Sequence, residues 1–213
     1  MSRHSTDKSF LRLLFAALLT LTLAGCGGGA KVVQEEGEAP VEYPSDATTR
    51  YARALGFMDA RDDARAIVEF EKLVESYPEY SGPHVNLGII HNRNGRPDVA
   101  MLELQRAVEI CSGCAVAYNQ LGIVQRQEGL FAEAERSYLA AIAADPDYAL
   151  AYLNLGVLYD LYRGRTADAL RYYEEFKARR RPEAIDQKDV VDKWIIDLKR
   201  RVGAPPQSAE AGE

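Results

Sequence analysis

Along most of this chain apolar residues recur at the three- and four-residue spacing that gathers side chains on one face of a helix. Leu87, Leu121 and Leu155 each lie three or four places from other apolar residues, and they are 34 residues apart. Segments starting at Ala47, Ser81, Ala115 and Ala149 superimpose at that period. A glycine follows each leucine, at Gly88, Gly122 and Gly156, and glycine inside a helix costs about 1 kcal/mol. A cost repeated in register implies a repeated need, namely room for a second helix to pass close. Ala100, Ala134 and Ala169 are expected to be the small residues facing those glycines. Asn94-Gly95, Gly129 and Asp145-Pro146 punctuate turns, and Pro97 falls where a first helical residue is expected. The pattern predicts helix pairs over residues 47–80, 81–114, 115–148 and 149–182, stacked so that neighbours bury a continuous core.

Residues 183–202 predict one more helix. Val190, Val191, Trp194, Ile195 and Leu198 make one face apolar, which suits a capping helix with a polar outer side. Trp194, the sole tryptophan, is expected to anchor it in the core. Residues 203–213 contain Pro205-Pro206 and small polar residues and read as a disordered tail.

The repeats carry a family pattern. His84, Leu87, Gly88, His91, Ala100, Leu104 and Ala107 in the second segment correspond to Tyr118, Leu121, Gly122, Gln125, Ala134, Tyr138 and Ala141 in the third, which ends at Pro146. The fourth begins Tyr152, Leu155, Gly156, Tyr159. This resembles the tetratricopeptide repeat (TPR), with its W-x2-L-G-x2-Y, A-x3-F and P signature. The first segment has Arg53-Ala54 in place of Leu-Gly, but Phe57, Ala66, Phe70 and Pro78 fall in register. In the fourth, Ala169 and Tyr173 align only with one residue inserted near Arg163-Gly164. The resemblance implies an all-α, right-handed solenoid of about four helix pairs plus the capping helix.

The N-terminal stretch belongs to none of this. Arg3, Lys8 and Arg12 precede an apolar run from Leu13 to Ala24, broken by Thr20 and Thr22. About 12 helical residues rise roughly 18 Å, short of a hydrocarbon core of about 30 Å. Residues 1–25 are therefore expected to be a signal peptide rather than a membrane span. Leu23-Ala24-Gly25-Cys26 resembles the lipobox of bacterial lipoproteins, which implies cleavage before Cys26 and acylation of it. Acyl chains add about 0.8 kcal/mol per buried CH₂, so two or three together anchor stably. Gly27 rather than aspartate after the cysteine implies, by resemblance to enterobacterial sorting, the outer membrane with the folded part facing the periplasm. Residues 26–46 carry Glu35, Glu36, Glu38, Glu42 and Asp46 and read as an acidic, flexible tether.

Charge and composition narrow the function. The 213 residues carry a formal charge of −6, and removing residues 1–25, which are net +2, would leave −8. That balance argues against nucleic acid as a partner. No phosphate loop, His-Glu-x-x-His or nucleophile elbow is present, and neither a catalytic residue, a metal site nor a cofactor is expected. His84 and His91 read as fillers between helices, and Asp62-Asp63 and Glu174-Glu175 as solvated surface. Lys177, Arg179, Arg180 and Arg181 suit a helix C-terminus, with anionic lipid or wall polymer as the functional alternative. Cys111-Ser112-Gly113-Cys114 lies in the turn between the second and third repeats, where the family often has proline. Ala115 in place of histidine excludes haem attachment. A disulfide suits an oxidising compartment, while free thiols, zinc and redox chemistry stay open.

In the TPR family the first helix of each pair lines a concave groove, chiefly through repeat positions 2, 5, 6, 9, 12 and 13. By that resemblance the candidate partner-binding residues are Asn86, Ile89, Arg93, Asn119, Gln120, Ile123, Arg126, Asn154 and Val157. Side-chain amides offer donors and acceptors that can hold an extended peptide backbone, and Arg93 and Arg126 would supply charge. The two-cation clamp of chaperone-binding family members is not reproduced. The expected function is a protein-binding scaffold without enzymatic activity, similar to TPR lipoproteins of pilus assembly and the outer membrane. An adaptor for peptidoglycan-remodelling enzymes and a thiol-disulfide protein using Cys111 and Cys114 are the alternatives. Several relatives dimerise, so a homodimer also stays open.

Overall fold

The computed structural model describes residues 44–180 and 188–203. The expected signal peptide, Cys26, nearly all of the tether, Arg181, and residues 204–213 of the tail lie outside the described residues. Among the described residues all regular structure is helical: α1 (Ser45–Asp59), α2 (Asp63–Ser76), α3 (Ser81–Arg93), α4 (Pro97–Ile110), α5 (Ala115–Gln127), α6 (Phe131–Ala144), α7 (Ala149–Leu161), α8 (Thr166–Arg179) and α9 (Lys188–Gly203). None of these helices is long and apolar enough to cross a membrane.

The helices pack as successive pairs, α1 with α2 through α7 with α8, and α9 lies against α8. Three-residue loops close the first three pairs and a four-residue loop, 162–165, closes the last. The extra residue near Arg163-Gly164 is thus absorbed in a loop. Each loop has one residue in the left-handed region: Arg61 (φ 60°), Gly95 (φ 71°), Gly129 (φ 76°) and Gly164 (φ 62°). Pro97 opens α4, and the Asp62 carboxylate caps α2 by accepting from Arg65 N–H at 3.2 Å.

Every pair buries an alanine and a larger residue from its second helix: Ala66 and Phe70, Ala100 and Leu104, Ala134 and Tyr138, Ala169 and Tyr173. The expectation that the alanines face the glycines is corrected in part: Ala100 does so at Gly88, but the larger side chain stands nearest each glycine. A methyl on Gly122 or Gly156 would lie 2.6 Å from the ring of Tyr138 or Tyr173, and one on Gly88 would lie 2.5 Å from Leu104 Cγ. The glycine makes room for the large side chain, while the alanine lets the helix backbones approach; the Ala100 carbonyl is 3.2 Å from that same methyl position.

Helix α9 buries Val191, Ile195 and Leu198, a single narrow stripe. Trp194 is a second correction: it remains 38% exposed and rests against the Tyr173 ring at 5.4 Å instead of entering the core. It sits one step aside from the buried stripe. The basic run is also engaged, since Lys177 and Arg180 both reach Asp192 on α9, at 2.8 and 3.8 Å. Arg179 lies over the Tyr152 ring and donates to the Pro146 carbonyl. Nor are the paired carboxylates simply solvated. Asp63 binds Arg93, Glu174 binds Lys199 at 2.8 Å, and Glu175 binds Arg179.

Candidate functional site: a polar seam along the first helices

Successive first helices α1, α3, α5 and α7 come into contact, and side chains 35 residues apart bond across them. Asn86 Nδ2 donates to Tyr51 Oη at 2.6 Å and also to the Gly82 carbonyl at 3.0 Å. Asn154 Nδ2 donates to Asn119 Oδ1 at 2.9 Å, and Asn92 Nδ2 to Gln127 Oε1 at 2.9 Å. The spacing follows from the 34-residue period plus one, because each bond joins a repeat position to the next position in the following repeat. Asn86 and Asn119 are buried, so these amides hold helices together. One rung is missing. Val85 stands where Tyr51 and Asn119 stand in their repeats, and a valine cannot hydrogen-bond to Gln120. Among the described residues the half-buried Gln120 amide has no hydrogen-bond partner.

The two arginines differ in the same way. Arg93 grips Asp63 in a two-point fork, Nε donating to Oδ2 at 2.9 Å and Nη2 to Oδ1, and that contact holds Asp63 below the usual carboxylate range. It fastens α3 to α2. Arg126 instead donates to two phenol oxygens, Tyr138 Oη at 3.2 Å and Tyr162 Oη at 3.5 Å. Its guanidinium carbon lies 5.6 Å from the Tyr162 ring centre. Burial opposes its charge, but the two phenols outweigh that and raise its pKa above the ordinary arginine value. Burial likewise raises the Tyr138 phenol, so that hydroxyl stays neutral at physiological pH. Among the described residues no carboxylate lies within ion-pair distance of Arg126. Ile89, Ile123 and Val157, half-buried at repeat position 9, complete the seam with apolar contact. Sequence reasoning missed Tyr162, whose ring packs on Phe131 at 5.0 Å; it lies in the lengthened loop, where repeat register is lost.

Two constellations lie away from the seam. Cys111 and Cys114 are joined as a disulfide, with Cα atoms 5.4 Å apart. Cys111 caps the end of α4 and Cys114 the start of α5, so the bridge clasps the turn between two repeats. His84 Nδ1 meets Glu103 Oε2 at 2.7 Å, and His91 is buried with Nδ1 unpartnered. Both sit between helices.

Helix pairs stacked at a 34-residue period, with a polar seam along the first helices, define a helical-repeat scaffold for protein–protein interaction. Tetratricopeptide-repeat models match residues 51–113, 115–148 and 137–171, and the chain belongs to the tetratricopeptide-repeat family. Among solved structures it is similar to PilF of Pseudomonas aeruginosa, with a TM-score of 0.65 and 21% identity over 73% of this chain and 68% of that one. It is similar to YrrB, described as a TPR protein with an unusual peptide-binding site, with a TM-score of 0.55 and 25% identity over 72% and 74% of the two chains. A thermophilic TPR protein of Thermus thermophilus, TTC0263, shares 23% identity over 72% and 83%, with a TM-score of 0.62. A comparison with curated proteins found no match.

Proposed function

We propose that this protein is a periplasm-facing scaffold, anchored in the bacterial outer membrane through acyl chains on Cys26. Its groove would grip an extended segment of another protein during assembly of an envelope machine such as a type IV or related pilus. The observation that carries this reading is the pair of groups left open in the seam, the unpartnered Gln120 amide and the Arg126 cation without a carboxylate. Both groups are half-buried, and a peptide that offers an amide to Gln120 and a carboxylate to Arg126, a charge-assisted bond, gains contacts to both in one place. The peptide-binding site named for YrrB supports a peptide as the kind of ligand. The fold shared with PilF, with the lipobox, makes a pilus the first machine to test.

A photo-crosslinking residue at Gln120 in cells is expected to capture a pilus or secretion assembly protein. The same residue at Leu102, which is exposed on α4, is expected to capture nothing in common. Equal capture from both positions would defeat the groove reading, and recovery of a peptidoglycan hydrolase would redirect it to the wall. Anchoring is checked separately, by radiolabelled palmitate that incorporates into the native chain and not into Cys26→Ala.

A further inference from the structure

Arg126 and Asp160 occupy the same position in successive repeats, 34 residues apart. Each lies beside the phenol of its own second helix: Arg126 bonds Tyr138, and the Asp160 charge bears on Tyr173. In the fourth repeat that charge is answered from α9, because Arg201 Nη1 meets Asp160 Oδ1 at 3.1 Å. In the third repeat the cation has the phenols of Tyr138 and Tyr162 but, among the described residues, no carboxylate. The last turn of α9 therefore reaches the end of α7, at the position one repeat on from Arg126, through Arg201, and the chain continues beyond Gly203.

The next ten residues are Ala-Pro-Pro-Gln-Ser-Ala-Glu-Ala-Gly-Glu, with Glu210 and Glu213 and no cation. We propose that residues 204–213 dock on the Arg126–Tyr162 patch of the chain's own groove and occupy it until a partner displaces them. This rests on the groove being the recognition surface. Charge complementarity supplies one contact, Glu210 or Glu213 on the Arg126 guanidinium, the kind of charge-assisted bond that arginine forms well with carboxylates. The second contact is aromatic. Tyr162 is 44% exposed and packs on Phe131, and Pro205-Pro206 is the type of segment that docks on aromatic surfaces in its preformed extended helix. Reach is sufficient. Seven residues from Gly203 to Glu210 span roughly 23 Å when extended, while the two helix spacings from α9 past α7 to α5, at about 8–10 Å each, come to about 16–20 Å. Tethering holds the tail at an effective concentration on the order of millimolar, so a weak intramolecular contact still competes with an incoming peptide. A partner with its own proline and carboxylate would replace both contacts together.

The test is NMR on the full chain without any partner, comparing the native protein with the Glu210→Gln/Glu213→Gln double variant. The Arg126 Nε–H resonance and the amide resonances of Phe131 and Tyr162 are expected to shift. Native protein in about 0.5 M NaCl, where screening shortens the range of charge to a few ångströms, should move toward the variant. In an Arg126→Gln background the same glutamate changes should have no effect on Phe131 and Tyr162, and Arg126→Lys should restore it in part. Circular dichroism identifies any variant that fails to fold, and the native salt titration then decides alone. Shifts confined to residues 204–213 would overturn the proposal, as would a response of Arg126 to Glu35→Gln/Glu36→Gln/Glu38→Gln instead. Because no partner is present, this result can fail while capture from Gln120 succeeds, and the reverse.

Discussion

Gly122 and Tyr138 meet so closely that a single methyl group on the glycine would stand 2.6 Å from the tyrosine ring. The ring is fully buried, and its hydroxyl holds Arg126 at 3.2 Å, so this packing contact also positions a groove cation. Gly122→Ala gains about 1 kcal/mol of helix propensity but overfills the site, at a cost of about 1–3 kcal/mol. The net expectation is a loss of up to about 2 kcal/mol in urea unfolding. Capture from Gln120 should weaken as well, because the displaced ring no longer steadies Arg126. Unchanged stability would mean that the ring moves freely.

Arg61 is the one residue other than glycine with a positive φ among the described residues, in a loop position that is Gly95, Gly129 and Gly164 in the other repeats. The left-handed conformation costs a residue with a Cβ roughly 1–2 kcal/mol, partly offset by the extra freedom glycine has when unfolded. Arg61→Gly is therefore expected to stabilise the chain by about 0.5–1 kcal/mol, and Gly129→Ala to destabilise it by a similar or larger amount. Chemical denaturation of the two variants side by side is the check. A destabilising Arg61→Gly would show that the arginine side chain contributes more than its backbone loses.

These two loops and the glycines mark what the sequence reveals. The 34-residue period was legible because each repeat must bury the same stripe, so Leu87, Leu121 and Leu155 recur whatever the surface does. Partners across helices were not legible in the same way. Arg93 read as groove charge because its position lies on the first helix, yet Asp63 neutralises it from 30 residues away, a pairing that no i, i+4 rule announces. Asn86 and Asn119 read as peptide-holding amides, and the structure uses them as rungs between helices. Trp194 shares a helix with Val191, Ile195 and Leu198, but the half-exposed ring rests on Tyr173 because the buried stripe is only one residue wide.

The Cys111–Cys114 bridge takes the place of a proline. Pro78 and Pro146 hold the corresponding position in the first and third repeats, and Ser112 holds it in the second. Cys111, at φ −129° and ψ 94°, already has the extended conformation that a following proline favours. Reduction, or Cys111→Ser/Cys114→Ser, is expected to lower stability by up to about 2 kcal/mol, the loop-entropy value for so short a closure. Adding Ser112→Pro to the reduced form should recover about 0.4–1 kcal/mol. Thermal melts with and without reductant measure both. If the double serine variant melts like the native chain yet loses activity in cells, the clasp is not structural and thiol chemistry becomes the better account.

His91 gives the chain a predictable response to acid. It lies buried between helices with Nδ1 unpartnered, and burial first, then the nearby Arg96 charge, lowers its pKa below the ordinary value of 6.5; Glu103 and Glu71 oppose that shift without reversing it. Below about pH 6.5 the unfolded chain therefore binds a proton that the folded chain refuses. Its contribution is complete above about 6.5 and is lost as pH falls from there toward the depressed folded value. The corresponding residue of the third repeat is Gln125, whose amide oxygen accepts from Ser137 Oγ at 2.6 Å. His91→Gln places the same neutral group in the second repeat and removes the titration. Melting temperature measured across about pH 5–8 should fall with acid more steeply for the native chain than for His91→Gln, and the two should run parallel above about pH 7. Parallel curves through the whole range would mean that His91 takes up its proton in the folded state as readily as in the unfolded one.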